Sequence, residues 1–92
     1  MSIQWLFDVI EARQDDPVSD SYTAQLLMEG LPKIAQKVGE EATETVVAAL
    51  AQDDQRLIAE VADLTYHVLV LLAARHVTPA DVMLELKRRH AK

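Results

Sequence analysis

Apolar residues recur along this chain at helical rather than strand spacing. Ile3, Leu6, Phe7 and Ile10 fall at the i, i+3, i+4 and i+7 positions of one face, which with Ser2 as a cap predicts a helix from about Ser2 to Arg13. Gln14 to Asp20, interrupted by Pro17, reads as a loop. Asp20 or Ser21 then caps a short helical segment through Glu29, closed by Gly30, a residue suited to a left-handed helix end. Pro32 belongs in the first turn of a long helix reaching about Gln52. Asp53 and Asp54 supply the turn and cap for another from about Gln55 to His76. Thr78-Pro79-Ala80-Asp81 opens a last one through about His90.

With only two glycines, three prolines and little period-two alternation, the chain is predicted to be all-α, with four main helices plus the short segment. On the Pro32–Gln52 helix, Ile34, Val38, Thr45 and Ala48 share one line and Glu41 lies in the middle of it, so Glu41 is expected to face inward. Ala42, Val46, Ala49 and Leu50 widen the apolar surface on one side, with Lys37 and Glu44 on the other. On the Gln55–His76 helix the expected core face is Leu57, Val61, Leu64, Val68, Leu71 and Leu72, with Glu60 and His67 at its margin and Asp63 just beyond. Ile58, Ala62, Leu69 and Val70 continue the apolar surface round the other flanks. A helix apolar nearly all round is covered on several sides, which one small bundle cannot do, so a second copy is expected to complete the fold as a homodimer. Gly39 is either a tolerated helix glycine or a mark of close approach by a neighbour or ligand.

Ninety-two residues, half of them hydrophobic, suit one domain over 1–92 that buries only a modest share of its surface alone. A formal charge of −6 and nine scattered basic residues disfavour nucleic acid as a partner. Without cysteine, disulfides and thiolate metal sites are excluded, and a reducing cytoplasmic location fits. The longest apolar run, Val68 to Ala74, is far shorter than the ~18 residues of a membrane span. The start of the chain lacks the basic and apolar blocks of a secretion signal.

The chemistry-bearing feature is a pair of acidic signatures on neighbouring helices, Glu41-x-x-Glu44 and Glu60-x-x-Asp63, separated by fifteen residues. Carboxylates three apart on a helix point the same way. If the two helices run antiparallel the four meet, which is unfavourable unless a strong positive charge neutralises them. Lys37 and Arg56 can pair with some of the four but not all, and a hard divalent cation such as Mg²⁺ is the natural complement. The alternative is that these acids merely solvate helix surfaces.

These residues resemble a known family. The E-x-x-E and E-x-x-D spacing is similar to the signature of the all-α, MazG-like nucleoside triphosphate pyrophosphohydrolases. Over essentially the whole chain the likeness is to phosphoribosyl-ATP pyrophosphohydrolase of histidine biosynthesis. It rests on Ser21-Tyr22-Thr23-Ala24, Gln36-Lys37-Val38-Gly39-Glu40-Glu41-Ala42 leading to Glu44, Ala62-Asp63-Leu64 with Tyr66-His67, and Arg89-His90. The resemblance implies a four-to-five-helix bundle completed by homodimerisation. It also implies hydrolysis of phosphoribosyl-ATP to phosphoribosyl-AMP and pyrophosphate with Mg²⁺ on catalytic Glu41, Glu44, Glu60 and Asp63. Val61, Thr65, Thr45 and His76 depart from the family pattern, which usually has alanine, a larger apolar residue, an aliphatic residue and a helix-ending glycine there.

Other residues carry two readings each. Lys37 either reaches a substrate phosphate or forms an i, i+4 ion pair with Glu41. His67 is a substrate contact or proton shuttle, or a histidine bonded to a neighbour; Mg²⁺ prefers oxygen, which disfavours direct ligation. Glu40 is an outer-lying base or is solvated. Ser21, Tyr22 and Thr23 contact substrate or simply cap the short helix. Trp5 is core or dimer seam, and Arg88, Arg89 and His90 either complement the helix dipole or touch phosphate. The competing functions are a house-cleaning pyrophosphohydrolase using the same acids and a non-enzymatic dimerisation module.

Overall fold

Each helix begins where a side chain can accept a bond from the free amides of a first turn, or where proline removes the need. In the computed structural model, which describes residues 2–16 and 21–91, five helices and no strand are present: α1 Ile3–Gln14, α2 Tyr22–Glu29, α3 Leu31–Ala51, α4 Asp54–Ala74 and α5 Pro79–His90. Ser2 Oγ accepts from the Trp5 amide at 3.1 Å, Ser21 Oγ from that of Ala24 at 3.1 Å and Asp53 Oδ1 from that of Arg56 at 2.9 Å. Thr78 and Asp81 form a reciprocal capping box at the start of α5. The expected caps at Ser2, Ser21 and Thr78 are therefore in place, while that of α4 falls on Asp53 and the helix begins at Asp54, one residue before the expected Gln55. The expected loop from Gln14 to Asp20 begins one residue later, because α1 continues through Gln14, and residues 17–20, with the candidate cap Asp20, lie outside the described segments.

Gly30 ends α2 and starts α3 by itself, with φ 96° and ψ 177°. Its φ is positive as expected, yet ψ is extended rather than left-handed helical, which turns the chain sharply with no spacer residue. α4 ends two residues before the expected His76, because His76 adopts φ 57°. The amides of His76 and Val77 return to the carbonyls of Ala73 and Leu72 at 3.1 and 2.9 Å. This is the paired closure in which glycine is the usual residue, so the histidine noted in the sequence sits in a glycine conformation.

α3 and α4 form an antiparallel hairpin through Gln52 and Asp53 and make the most extensive contact between elements. α1 and α2 pack across one end of it. There Phe7, Ile10, Leu26, Ile34, Leu69, Val70 and Ala73 form the apolar core. α3 presents Ile34, Glu41 and Ala48 inward, as its phase predicted. For α4 the expectation is corrected: the buried line is Glu60, His67, Leu69, Val70 and Ala73, while Val61 is exposed and Leu57, Leu64, Val68, Leu71 and Leu72 are only partly covered. The helix is rotated relative to its apolar centre of gravity, so its polar margin enters the seam and part of its apolar surface faces out. Ile58 on α4 and Leu50 on α3 are 68% and 84% exposed.

Candidate functional site

Antiparallel pairing places the middle of α3 against the first half of α4, and the acids meet there. Glu41, Glu44 and Asp63 each offer a carboxylate oxygen, all within 4.8 Å of one another. Glu60 joins through Glu44, which is close enough to raise the Glu60 pKa by hydrogen bonding and charge, with burial adding to it. Glu41 is only 4% exposed. Burial first, then Asp63 and Glu44, push its carboxyl up to about 7.

Two fixed cations face these four acids. Lys37 Nζ is 3.6 Å from Glu41 and 3.5 Å from Glu40, and Arg56 Nε is 3.5 Å from Glu60. Glu41 Oε2 and Glu60 Oε2 remain buried without a hydrogen-bond partner. A buried, unpartnered carboxylate oxygen is costly. The donor set is all oxygen, clustered, under-neutralised and partly desolvated, which fits a hard divalent cation and does not fit a structural ion-pair network.

The other candidates are distributed around this cluster. Lys37 makes the expected ion pair with Glu41. Glu40 is exposed and accepts from Gln36 Nε2 at 3.1 Å; that bond, with Lys37, holds its carboxyl below the usual range. Tyr22 is half exposed and feels Lys37, Asp63 and Glu41, although burial is the main influence raising its pKa. His67 is buried, with Nδ1 2.8 Å from the backbone carbonyl of Asp63 and Nε2 3.0 Å from the Tyr22 hydroxyl. Both ring nitrogens are thereby engaged within the chain.

Thr23 Oγ1 bonds the Tyr66 hydroxyl, so two adjacent residues of α2 are fastened to two adjacent residues of α4. Arg88 and Arg89 both bond Glu85 on their own helix. Trp5 is half exposed and belongs to no core of the single chain. Nothing among the described residues lies within 4 Å of a Cβ built at Gly39, so no protein neighbour requires that glycine.

Sequence reasoning missed the Thr23–Tyr66 tie and the inter-helix role of Thr45, whose hydroxyl lies 2.8 Å from the Glu41 carbonyl and 3.3 Å from that of Glu60. Neither carries a local signal, since each depends on which helices pack together.

Comparison with known proteins identifies the family. Residues 4–90 match the family described as phosphoribosyl-ATP pyrophosphohydrolase. A phosphoribosyl-ATP pyrophosphatase of Parvibaculum lavamentivorans is 53% identical over 87 residues, covering 95% of this chain and 80% of that protein. One from Lacticaseibacillus casei is 53% identical over 91 residues, covering 99% of this chain and 83% of that protein. One from Saccharolobus solfataricus is 50% identical over 84 residues, covering 91% of this chain and 89% of that protein. On a match over nearly its whole length, this chain belongs to the phosphoribosyl-ATP pyrophosphohydrolase family.

Proposed function

We propose that the protein hydrolyses phosphoribosyl-ATP to phosphoribosyl-AMP and pyrophosphate, the second step of histidine biosynthesis, with Mg²⁺ held by Glu41, Glu44, Glu60 and Asp63. The observation that carries this reading is the convergence of Glu41, Glu44 and Asp63 within 4.8 Å. The unpartnered buried oxygens of Glu41 and Glu60 support it. A divalent cation there would supply Lewis acidity toward phosphate oxygens and water.

The chain's own residues do the rest. The four carboxylates fix where a triphosphate can approach, because without a cation they repel it. Lys37, held by Glu40 and Glu41, directs an ammonium toward phosphate at the edge of the cluster. Tyr22 and Glu40 lie on the substrate-facing rim. No covalent nucleophile is set up among the described residues: cysteine is absent, Ser2 and Ser21 are helix caps, and His67 has both nitrogens engaged. Direct attack by water is therefore favoured over a phospho-enzyme.

The active form is proposed to be a homodimer. The radius of gyration, 14.4 Å, exceeds the ~12 Å expected of a compact chain this long, and α3, α4 and α5 all leave large apolar side chains exposed. A cytoplasmic setting suits a cysteine-free biosynthetic enzyme.

A nucleotide panel with detection of pyrophosphate and orthophosphate tests the activity. Turnover confined to phosphoribosyl-ATP with pyrophosphate as first product is expected, whereas broad turnover of noncanonical triphosphates would favour a house-cleaning role. In isotopically labelled water, the label should enter the monophosphate product; label found only in pyrophosphate would move attack to the β phosphorus.

A further inference from the structure

His67 lies one helical turn from Asp63, yet the chain uses it fully. Its Nδ1 is 2.8 Å from the Asp63 backbone carbonyl and 3.5 Å from Asp63 Oδ1, both acceptors, so Nδ1 carries a proton. In the neutral ring Nε2 then has a lone pair, and its neighbour at 3.0 Å is the Tyr22 hydroxyl. Tyr22 must donate. The ring is also wedged edge-on between two tyrosines, 5.0 Å from Tyr66 at 85° and 5.9 Å from Tyr22 at 76°. It is 3% exposed and has no freedom to turn toward solvent. Tyr22, in contrast, is half exposed at the rim of the acidic cluster.

We infer that His67 is a positioning residue: its Nε2 accepts a hydrogen bond from the Tyr22 hydroxyl, which pins the first turn of α2 to α4 and leaves the Tyr22 oxygen facing the site as a fixed acceptor. An acceptor held there selects donors, which on a phosphoribosyl nucleotide are the ribose hydroxyls and the exocyclic N–H of the base, while the ionised phosphates offer none. Tyr22 thereby contributes to recognition of the nucleoside part rather than the phosphates, and His67 acts only through it. This rests on the proposed reading of the site as one that binds a phosphoribosyl nucleotide.

The experiment combines a double-mutant cycle with a measurement on the substrate-free protein. Tyr22→Phe and His67→Asn, which keeps an N–H for the Asp63 carbonyl but cannot reach Tyr22, should each raise KM about tenfold with kcat changed less than about threefold. The double variant should be no worse than either single one. His67→Gln, whose carbonyl can reach the Tyr22 hydroxyl, should recover most of the KM. Losses that multiply in the double variant, or a collapse of kcat in His67→Asn alone, would overturn the proposal.

Without substrate, nitrogen-detected spectra of the imidazole should show the Nδ1–H tautomer in the wild type at mildly alkaline pH. An Nε2–H ring would refute the assignment. That readout does not depend on the reaction, so a protein that failed to turn over phosphoribosyl-ATP but kept this tautomer would sink the functional reading and leave the pinning of α2 standing.

Discussion

Thr45 and Glu60 face each other across the α3–α4 seam, with the threonine hydroxyl 3.3 Å from the Glu60 backbone carbonyl and 2.8 Å from that of Glu41. One hydroxyl therefore links the two acid-bearing turns at the level of the carboxylates. Both carbonyls lie inside helices, so removing the hydroxyl leaves neither an orphan. Thr45→Val should cost about 1 kcal/mol, lowering the melting temperature by a few degrees. A loss several times larger would show that this bridge does more than tie the backbones.

Glu41→Gln, Glu44→Gln, Glu60→Gln and Asp63→Asn should each reduce turnover by about a hundredfold or more with the helical content intact. Metal-free Glu41→Gln should melt no lower than the wild type above neutral pH, since it removes a charge that burial and two neighbouring carboxylates oppose. Near-normal turnover by any two of the four at saturating Mg²⁺ would refute the assignment of these ligands.

The raised Glu41 pKa fixes the sign of a pH effect. The folded protein binds this proton more tightly than the unfolded chain does, with a pKa of about 7 against 4.5. The resulting stabilisation is complete below about 4.5 and is lost as pH rises through about 7. A chelated sample should therefore lose melting temperature across that interval from this group. Divalent cation competes with the same proton, so the stabilisation by added Mg²⁺ should grow over the same interval and level off above it. Melting scans across pH with and without the metal check both, and an Mg²⁺ effect that shrinks with rising pH would contradict the site.

His76 holds φ 57° at the end of α4, a conformation that costs an ordinary residue about 1–2 kcal/mol. His76→Gly should stabilise the protein by about 1 kcal/mol and raise the melting temperature by about 4–8 °C without changing kcat. A fall in stability would mean that the imidazole has a partner worth more than the strain.

The exposed apolar faces lead to an oligomerisation test. Sedimentation equilibrium at micromolar concentration should report twice the 10.3 kDa chain mass. Ile58→Glu on α4 should shift the protein toward the single chain, because Ile58 is among the most exposed apolar residues.

Helix ends and the acidic cluster were legible in the sequence because their signals are local. Ser2, Ser21, Asp53 and Thr78 announce caps within three residues, and the spacing of Glu41, Glu44, Glu60 and Asp63 needs only two helices and a tight turn. The orientation of α4 was not legible. Apolar periodicity locates the mean apolar direction of a helix, and α4 has more apolar surface than this chain covers, so the mean points away from the seam that Glu60 and His67 enter. The Tyr22–His67 bond joins residues 45 apart, and no spacing rule encodes it.

Gly30 gives α2 the mechanics of a lever. With no spacer between the helices, two torsions of one residue set the direction of an arm about 12 Å long whose far end carries Tyr22. A 10° error in either torsion would swing that end by about 2 Å, enough to break the bonds that tie Tyr22 to His67 and Thr23 to Tyr66. A Cβ at Gly30 meets nothing closer than 4.0 Å, so an alanine there would fit in space and still mis-aim the arm through its φ. The tyrosine at the rim is thus located from both ends of its helix, by the torsions of Gly30 at one and by the bonds to His67 and Tyr66 at the other.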